Sequence, residues 1–405
     1  MTADRAERLA RAGLTLLGAP GDRALADVVA SVGAVRAWED LRGNPANTHV
    51  NTHVDGAAQP ALLLARAGAV GARLVVPGDD EWPPRIVDLP GPGHTTTGPP
   101  RRREAAAPHA LWVRGTGHLA EIVERSVAVV GARAATGYGQ HVAGELACGL
   151  ADAGWATVSG GAFGIDAAAH RGCLAGGSPT VVVLAGGIDV LYPQGNESLF
   201  DRVLDGGVLV SEAPPGTPSM RQRFLTRNRL IAALGRGTVL VEADVRSGAR
   251  TTVRHAHALL RPVCVVPGPV TSRLSAGCHQ VLQGDEPTRL VCSAEQVLDH
   301  VAPVGEQLAL PGHAPPGPRD GLRDLAHAVL DAVPARRAAP TAEIAAVVGV
   351  AELDVARILV PLSVGGLVER TDEGTWRLTA LGRAPSAAPA PTVAVGGGPP
   401  GPAGG

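Results

Sequence analysis

The sequence contains no lysine, so every side chain in its Lys-plus-Arg total of 36 is arginine. A Walker A phosphate loop and a Schiff-base catalytic site both require lysine, so both classes of site are excluded. The formal net charge is only −2. Binding to a polyanion must therefore depend on a local basic patch, because the protein as a whole is not basic.

Cysteine is also scarce, and the five cysteines form no C-x-x-C pair. Wide spacing of this kind is typical of reduced thiols, and we expect a cytoplasmic protein. His255 and His257 are two residues apart on a predicted helix and point to different faces, which argues against zinc. We expect no metal and no cofactor. No apolar run reaches the length of about 18 residues that indicates a membrane span.

Phenylalanine is rare, yet one of the three phenylalanines lies in an arginine-rich segment, RQRFLTRNR at 221–229. Four arginines surround Phe224, and no acidic residue occurs between Glu212 and Glu242. Arginine binds phosphate through paired, charge-assisted hydrogen bonds. An aromatic ring beside it can stack on an unpaired base. Taken alone, the segment fits equally well a solvated helix start with one core aromatic residue.

From Ser126 onward, short apolar runs alternate with helical stretches, the pattern of a parallel sheet with crossover helices. The predicted strands are 126–130, 155–159, 180–185, 207–211, 238–242 and 262–266. The predicted helices are 138–152, 164–176, 196–205, 224–235 and 250–260. Because the strands are apolar throughout, both faces of the sheet should be buried. The predicted fold class is α/β with an extended Rossmann-like parallel sheet.

Composition divides the chain further. The predicted parts are a helical N-terminal region over 1–89, a disordered insertion over 90–108, the Rossmann-like domain over 109–302, a linker over 303–319, a small winged-helix-like module over 320–381 and a disordered tail over 382–405.

Ligands of open α/β sheets bind beyond the carboxyl ends of the strands, and here those ends carry glycine, arginine or small polar residues. Glycine lets backbone N–H groups approach a phosphate, and a following helix offers its positive end. Tight turns need glycine in any case, but six such ends at one edge predict a phosphate-bearing ligand. The candidates at this edge are Gly131, Ala132, Arg133, Ser159, Gly160, Gly161, Ser247 and Gly248.

Other chemistry has weaker support. The first turn is not G-x-G-x-x-G and no acidic residue ends the second strand, so NAD binding is not expected. Asp166 and His170 are four residues apart on a predicted helix. That spacing allows either an acid/base pair or a structural pair, and we favour the structural pair.

Residues 110–302 resemble the DprA/Smf family (DNA-processing protein A). The resemblance is carried by several motifs in order, among them VVGAR at 129–133, VSGGAFGIDAAAHRG at 158–172, YPQGN at 192–196, FLTRNRLIAAL at 224–234 and VEADVRSGARTT at 241–252. The family usually has arginine where Phe163 stands and asparagine where His279 stands.

The resemblance implies a non-enzymatic protein that binds single-stranded DNA, protects incoming DNA in natural transformation and helps to load the recombinase RecA. It also implies a homodimer formed through the Rossmann-like domain. By matching motifs, Arg133 and the turn Gly131-Ala132 would contact phosphate. Ser247 and Gly248 would face the same pocket. The residues implied along the path of the strand are Arg221, Arg223, Phe224, Arg227 and Asn228.

Two alternatives remain open. Related Rossmann-like phosphoribohydrolases usually show P-G-G-x-G-T-x-x-E, whereas the corresponding stretch here, 247–254, has no glutamate. A transcriptional regulator could act through the C-terminal module. Its predicted recognition stretch, LDVARILVPLSVGG, offers only Arg357 for phosphate contact. We favour a role in protein interaction for that module.

Overall fold

A computed structural model of the chain describes residues 4–42, 60–89, 106–303, 324–335 and 337–381. The chain forms two compact units, residues 1–306 and residues 307–405. None of the described helices combines the length and the apolar character needed to cross a membrane.

The first unit is built on a sheet of nine strands in the order β1-β2-β6-β5-β4-β3-β7-β8-β9. Neighbouring strands from β6 to β9 are parallel. Strand β2 is antiparallel to both β6 and β1. The strands are β1 (Ala72–Val75), β2 (Leu111–Arg114), β3 (Ser126–Val130), β4 (Ala156–Ser159), β5 (Thr180–Val183), β6 (Val208–Ser211), β7 (Thr238–Leu240), β8 (Val263–Val265) and β9 (Arg289–Leu290).

Helices cover both faces of this sheet. They are α1 (Arg5–Leu17), α2 (Arg23–Val32), α3 (Ala34–Leu41), α4 (Pro60–Ala69), α5 (Leu119–Glu124), α6 (Gly137–Asp152), α7 (Ile165–Ala175), α8 (Glu197–Leu204), α9 (Arg221–Leu234), α10 (Ala249–Ala258), α11 (Arg273–Leu282) and α12 (Ala294–Val301). One apolar core contains side chains of α5, α9 and α10. Another contains side chains of α1, α4 and α8. Both faces of the central strands are therefore shielded from water, as their apolar sequences require.

The predicted fold class is confirmed, and the six predicted strands and five predicted helices are present. Strands β1, β2 and β9 and helices α5, α11 and α12 were not predicted. Residues 1–89 were predicted to be helical, but they also supply β1, which extends the sheet through β2. Helix α9 begins at Arg221, three residues before its predicted start, so the whole arginine-rich segment is helical.

The second unit contains α13 (Asp324–Ala332), α14 (Thr341–Val348) and α15 (Glu352–Val364), followed by a hairpin of β10 (Val368–Arg370) and β11 (Trp376–Leu378). Leu359, Leu362 and Trp376 belong to its own apolar core. The predicted insertion over 90–108 and the predicted linker over 303–319 lie largely outside the described residues. The predicted tail over 382–405 lies entirely outside them.

Candidate nucleic-acid interface

A cleft of about 1190 Å³ opens at the carboxyl edge of the sheet. Its walls are the loop after β3, the first turns of α9, the loop after β7, and parts of α10 and α11. This is the edge at which open α/β sheets bind ligands. Of the residues predicted for the site, the structure brings together Gly131, Ala132, Arg133, Arg221, Phe224, Arg227, Asn228, Ser247 and Gly248.

The loop after β3 is held in place by a carboxylate at the end of β7. Thr136 donates to Glu242 twice, from its backbone N–H to Oε2 at 2.9 Å and from its hydroxyl to Oε1 at 2.6 Å. The same hydroxyl oxygen accepts from the Gly139 N–H at 3.1 Å and caps α6. A Cβ at Gly139 would lie 2.2 Å from Glu242 Oε2. Only glycine lets α6 approach this carboxylate, so the cleft wall is fixed without a ligand.

Gly131 has a packing role in the same loop. A Cβ there would lie 2.5 Å from Ile165 Cγ1 and 2.9 Å from the Glu242 carbonyl oxygen. The missing side chain therefore lets the loop lie directly against α7, and it leaves the Gly131 backbone lining the cleft.

Phe224 lies half-buried in the cleft wall, close to two guanidinium groups. The guanidinium carbon of Arg133 is 4.6 Å from the ring centroid, and that of Arg227 is 5.9 Å from it. The ring of Tyr192 lies 5.6 Å from the ring of Phe224, tilted by 60°. Such distances are favourable for cation–π and aromatic contacts. The ring thus belongs to a cationic surface, and it is not part of the sheet's apolar cores.

Arg227 forms the floor of the cleft and is 6% exposed. Its Nη1 donates to the carbonyl oxygen of Val183 at the end of β5. A Cβ at Gly160 would lie 2.1 Å from this Nη1, so glycine at that position makes room for the guanidinium. Burial lowers the pKa of Arg227 to about 10, and the neighbouring Asp166 carboxylate opposes that shift. The side chain remains charged at neutral pH.

Asp166 and His170 do not form the structural pair that their spacing favoured. Asp166 accepts from the Ala162 N–H at 3.4 Å, and burial raises its pKa while the Arg227 charge opposes the rise. His170 is fully buried, and its Nδ1 is hydrogen-bonded to the Thr180 hydroxyl at 2.7 Å. Burial lowers the pKa of His170 to about 3, so it is neutral. Neither group is placed as the partner of the other.

Four other predicted contacts do not line the cleft: Ser159, Gly160, Gly161 and Arg223. The Ser159 side chain is fully buried and donates to the Val129 carbonyl oxygen at 2.6 Å. Gly161 has φ +68°, and a Cβ there would lie 2.7 Å from Val182 Cγ1. Arg223 is half-buried and donates to the Pro218 carbonyl oxygen at 2.9 Å, and burial lowers its pKa. The structure gives these residues roles in the sheet edge and in the loop before α9.

The last arginine of the segment, Arg229, is also structural. It is 1% exposed, and its Nη2 lies 2.7 Å from Glu212 Oε1. Its Nε and Nη2 both donate to the Ala106 carbonyl oxygen. The sequence placed Arg229 in the basic segment but not among the residues implied along the path of the strand, and the structure gives it a role in the interior.

On the other side of the cleft, Asn228 joins α9 to the loop after β7. Its Nδ2 donates to the Gly248 carbonyl oxygen at 3.1 Å. The Ser247 hydroxyl accepts from the Ala249 N–H at 3.3 Å, just where α10 begins. Ser247 and Gly248 therefore line the cleft where α10 begins.

Sequence reasoning assigned no role to several arginines of the same cleft. They are Arg246, Arg250, Arg254 and Arg273. The first three are spaced by four residues, which places Arg250 and Arg254 on one face of α10 and could have revealed them. Arg273 belongs to α11, which was not predicted, and it pairs with Asp244 at 3.0 Å.

The charge balance of the cleft is strongly positive. Its arginines are Arg133, Arg221, Arg227, Arg246, Arg250, Arg254 and Arg273, and its acidic residues are Asp166, Asp244 and Glu286. A concave surface lined mainly by one sign of charge concentrates the opposite charge. Among the described residues, no group of three or more His, Cys, Asp or Glu side chains is arranged to hold a metal ion.

Comparisons with known proteins agree with a DNA-related role. The family model described as DNA recombination-mediator protein A matches residues 73–302. A Mycobacterium tuberculosis protein called putative DNA processing protein DprA is 43% identical over 381 residues, which cover 93% of this chain and 95% of the relative. DNA processing protein DprA from Streptococcus pneumoniae is 38% identical over 192 residues, 47% of this chain and 66% of that protein.

A solved structure gives the same result. The X-ray structure of DNA processing protein A from Streptococcus pneumoniae matches with a TM-score of 0.56 and 27% identity, covering 74% of this chain and 99% of that one. The family model spans more than half of the chain and the mycobacterial relative spans nearly all of it. The chain therefore belongs to the DNA recombination-mediator protein A family, the DprA/Smf proteins.

Proposed function

We propose that this protein binds single-stranded DNA in the arginine-lined cleft and acts as a DNA-processing protein in recombination. The observation that carries the proposal is the Phe224 ring in the cleft wall, with Arg133 at 4.6 Å and Arg227 at 5.9 Å from its centroid. An aromatic face between two guanidinium groups offers stacking to a base and charge to the adjoining phosphates.

The electrostatic part of the proposal rests on where the arginines lie. The whole chain carries a formal charge of −2, so it has no general affinity for polyanions. The arginines converge from the β3 loop, α9, α10 and α11 onto one concave surface. Each arginine that contacts a phosphate releases counterions, so binding should weaken steeply as salt increases.

The preference for a single strand rests on the aromatic part. A base can stack on Phe224 only when it is unpaired and can leave its neighbours. Duplex DNA presents phosphates but keeps its bases stacked inside. The cleft should therefore bind a single strand more tightly than a duplex, and without strong sequence preference, because every base has an aromatic face.

A binding role, without catalysis, is proposed because the two acid/base candidates are not arranged as a pair: Asp166 lines the cleft, whereas His170 is fully buried and does not line it. General acid–base catalysis needs a titrating group within hydrogen-bond reach of the reacting atom. His170 is buried and neutral, bonded to Thr180, and Asp166 lies beside the Arg227 charge. Incubation with nucleoside monophosphates and ATP, with and without Mg²⁺, should release neither base nor phosphate. Release that Asp166→Asn abolishes would favour the phosphoribohydrolase alternative.

Membership of the family supports three further parts of the proposal: protection of incoming DNA in natural transformation, loading of RecA onto that DNA, and a homodimer formed through the Rossmann-like domain. We also propose that the protein carries out these activities in the cytoplasm. Light scattering of the purified chain tests the dimer. RecA assembly on DNA coated with a single-strand-binding protein, with and without this protein, tests the loading.

The central experiment compares single-stranded and duplex DNA of the same length by fluorescence anisotropy over a range of salt concentrations. We expect clearly tighter binding of the single strand, and weaker binding in Arg133→Ala. Arg36→Ala is the matched control, because Arg36 is an exposed arginine on α3, paired with Asp40 and absent from the cleft. Equal affinity for single strand and duplex, or equal effects of the two variants, would contradict the proposal.

A further inference from the structure

Three aromatic side chains, Phe163, Tyr192 and Phe224, lie at or beside the cleft. The whole chain has three phenylalanines, two tyrosines and five tryptophans. Phe163 and Tyr192 are 50% and 49% exposed, and Tyr192 contacts Phe224. Tyr192 lines the cleft, whereas Phe163 lies just outside it, next to the lining residue Ala162. A half-exposed ring next to a binding cleft offers apolar surface that an unpaired base can cover by stacking.

The backbone holds Phe163 against the Arg133 loop. Two glycines in the left-handed region flank it, Gly161 with φ +68° and Gly164 with φ +76°. A Cβ at Gly164 would lie 2.3 Å from the Ala132 carbonyl oxygen and 2.5 Å from that of Arg133. The loop that carries Phe163 therefore packs directly on the turn that carries Arg133.

A second loop connects Phe163 to the aromatic pair in the cleft. A Cβ at Gly195 would lie 2.9 Å from Phe163 Cζ, so the ring rests on the Gly195 backbone. Tyr192, three residues earlier, packs against Phe224 with ring centroids 5.6 Å apart. The buried Asn196 side chain anchors the same loop by donating to the Gly161 carbonyl oxygen at 3.0 Å. One short loop thus contacts the Phe163 ring near one end and the Phe224 ring at the other.

The apolar character of Phe163, Tyr192 and Phe224 indicates which part of a nucleic acid they contact. A neutral ring gives a phosphate no charge to bind, whereas the half-exposed rings of Phe163 and Tyr192 and the half-buried ring of Phe224 have apolar surface for bases. The rings are also held before binding, by the glycine contacts and by Asn196, so little side-chain freedom is lost when a base arrives. The exposed Arg133 side chain, next to Phe224, can contact the phosphates between the bases.

We infer that Phe163, Tyr192 and Phe224 form an aromatic edge that stacks successive bases of a single strand, and that Phe163 extends this edge beyond the cleft. The inference rests on the proposed function, since it names the part of the ligand that each group of residues contacts. The arginines hold the phosphates, and the aromatic edge holds the bases.

The test uses two ligands of equal length, a thymidine oligonucleotide and the same deoxyribose-phosphate chain without bases. The full-length variants are Phe163→Ala, Phe163→Tyr and Phe163→Arg, with Arg133→Ala as the phosphate-contact control. Phe163→Ala should weaken binding of the thymidine strand by about tenfold, within the range for loss of a stacking ring, with an unchanged salt dependence. It should leave binding of the base-free strand unchanged, and Phe163→Tyr should restore wild-type affinity.

Phe163→Arg should give the opposite pattern. The added charge should tighten binding of the base-free strand and raise the steepness of the salt dependence by about 0.7. Phe163→Leu serves as a second truncation if the alanine variant loses thermal stability, because it keeps the apolar contact with Gly195 and lacks an aromatic face. If Phe163→Ala weakened binding of the thymidine strand and of the base-free strand equally, the inference would be overturned. Phe163 would then support the conformation of its loop and would not stack on a base.

The failure of this inference differs from the failure of the proposed function. If the wild type binds the thymidine strand and Arg133→Ala weakens binding while Phe163→Ala has no effect, the aromatic edge is wrong and the DNA-binding cleft stands. If the wild type binds neither strand, the proposed function itself is wrong, and the aromatic edge with it.

Discussion

The two ends of helix α9 carry the same residue type in opposite circumstances. At the first turn, Arg221 is exposed and lines the cleft. Eight residues later, Arg229 is 1% exposed and pairs with Glu212 at 2.7 Å. A charged side chain with a buried partner stabilises the fold, whereas an exposed one in a cationic cleft is available to a ligand. The comparison shows that burial and partner assign the role of an arginine, and that its place in a basic segment does not.

Arg227 lies between these extremes, since it is buried but still lines the cleft. Arg229 follows Arg227 by two positions, and on a helix this spacing directs the two side chains to different faces. One faces the carboxyl edge of the sheet and Val183, and the other faces Glu212 and Ala106. One face of helix α9 therefore lines the cleft, and another face packs in the protein interior.

The largest expected effect comes from Arg229→Ala. Removing one partner of a buried ion pair leaves the other charge unpaired, so the free energy of unfolding should fall by about 3–5 kcal/mol. Urea denaturation measures this, with Arg221→Ala as the matched control, which should stay within about 0.5 kcal/mol of the wild type. An Arg229→Ala protein of native stability that fails to bind DNA would reverse the assignment of the two ends.

Gly160→Ala tests whether the buried Arg227 guanidinium contributes to DNA binding. The added Cβ would lie 2.1 Å from Arg227 Nη1, so the guanidinium must leave the Val183 carbonyl oxygen. We expect a loss of about 1–3 kcal/mol in the free energy of unfolding from overpacking, together with weaker binding of single-stranded DNA.

The control for that variant is Gly144→Ala in α6, where the nearest atom to a Cβ is 3.9 Å away. That change should be neutral or slightly stabilising, because alanine suits a helix interior better than glycine. If both variants bind DNA as the wild type does, Arg227 has no part in the ligand surface.

Phe224→Ala should weaken binding of single-stranded DNA by about 1–3 kcal/mol, because one stacked base loses its ring. The slope of log affinity against log salt should stay unchanged, since no phosphate contact is removed. Thermal melting separates this from a core role, for which truncation would lower the free energy of unfolding by about 3–5 kcal/mol. A large loss of stability with normal DNA affinity in the folded fraction would assign Phe224 to the interior together with Arg229.

The smallest effect is expected for Arg221→Ala. Loss of one phosphate contact should lower the salt slope by about 0.7 for a single strand, with little change in stability. Arg36→Ala on α3 should leave the slope as it is, because Arg36 lies outside the cleft. Equal slopes in all three proteins would mean that Arg221 is only a solvated charge.

The parallel part of the fold could be predicted because its strands are continuous apolar runs, which few other structures accommodate. Strands β1, β2 and β9 each contain an arginine, Arg73, Arg114 and Arg289, so none of them is a continuous apolar run. Strands could be predicted from the local sequence where burial on both faces requires apolar residues, and could not be predicted at the edges of the sheet.

For the candidate site, the sequence predicted the location of the cleft but not the role of every residue in it. Glycine and arginine at strand ends located the cleft, because the carboxyl ends of parallel strands meet at one edge. The role of Arg229 was hidden because its partners, Glu212 and Ala106, are 17 and 123 residues away. Gly160 and Gly161 looked like phosphate-binding glycines, and only the packing of Arg227 and Phe200 against them reveals why a side chain is excluded.

The Glu242 carboxylate has a consequence for how this chain can evolve. It receives two hydrogen bonds from Thr136 and occupies the space that a Cβ at Gly139 would need. A change at any one of these three positions disturbs the other two, although Glu242 is more than a hundred residues away in the chain. We expect them to be inherited as a unit across related sequences. A lineage that replaces Glu242 with a shorter side chain should be the one in which Gly139 becomes free to vary.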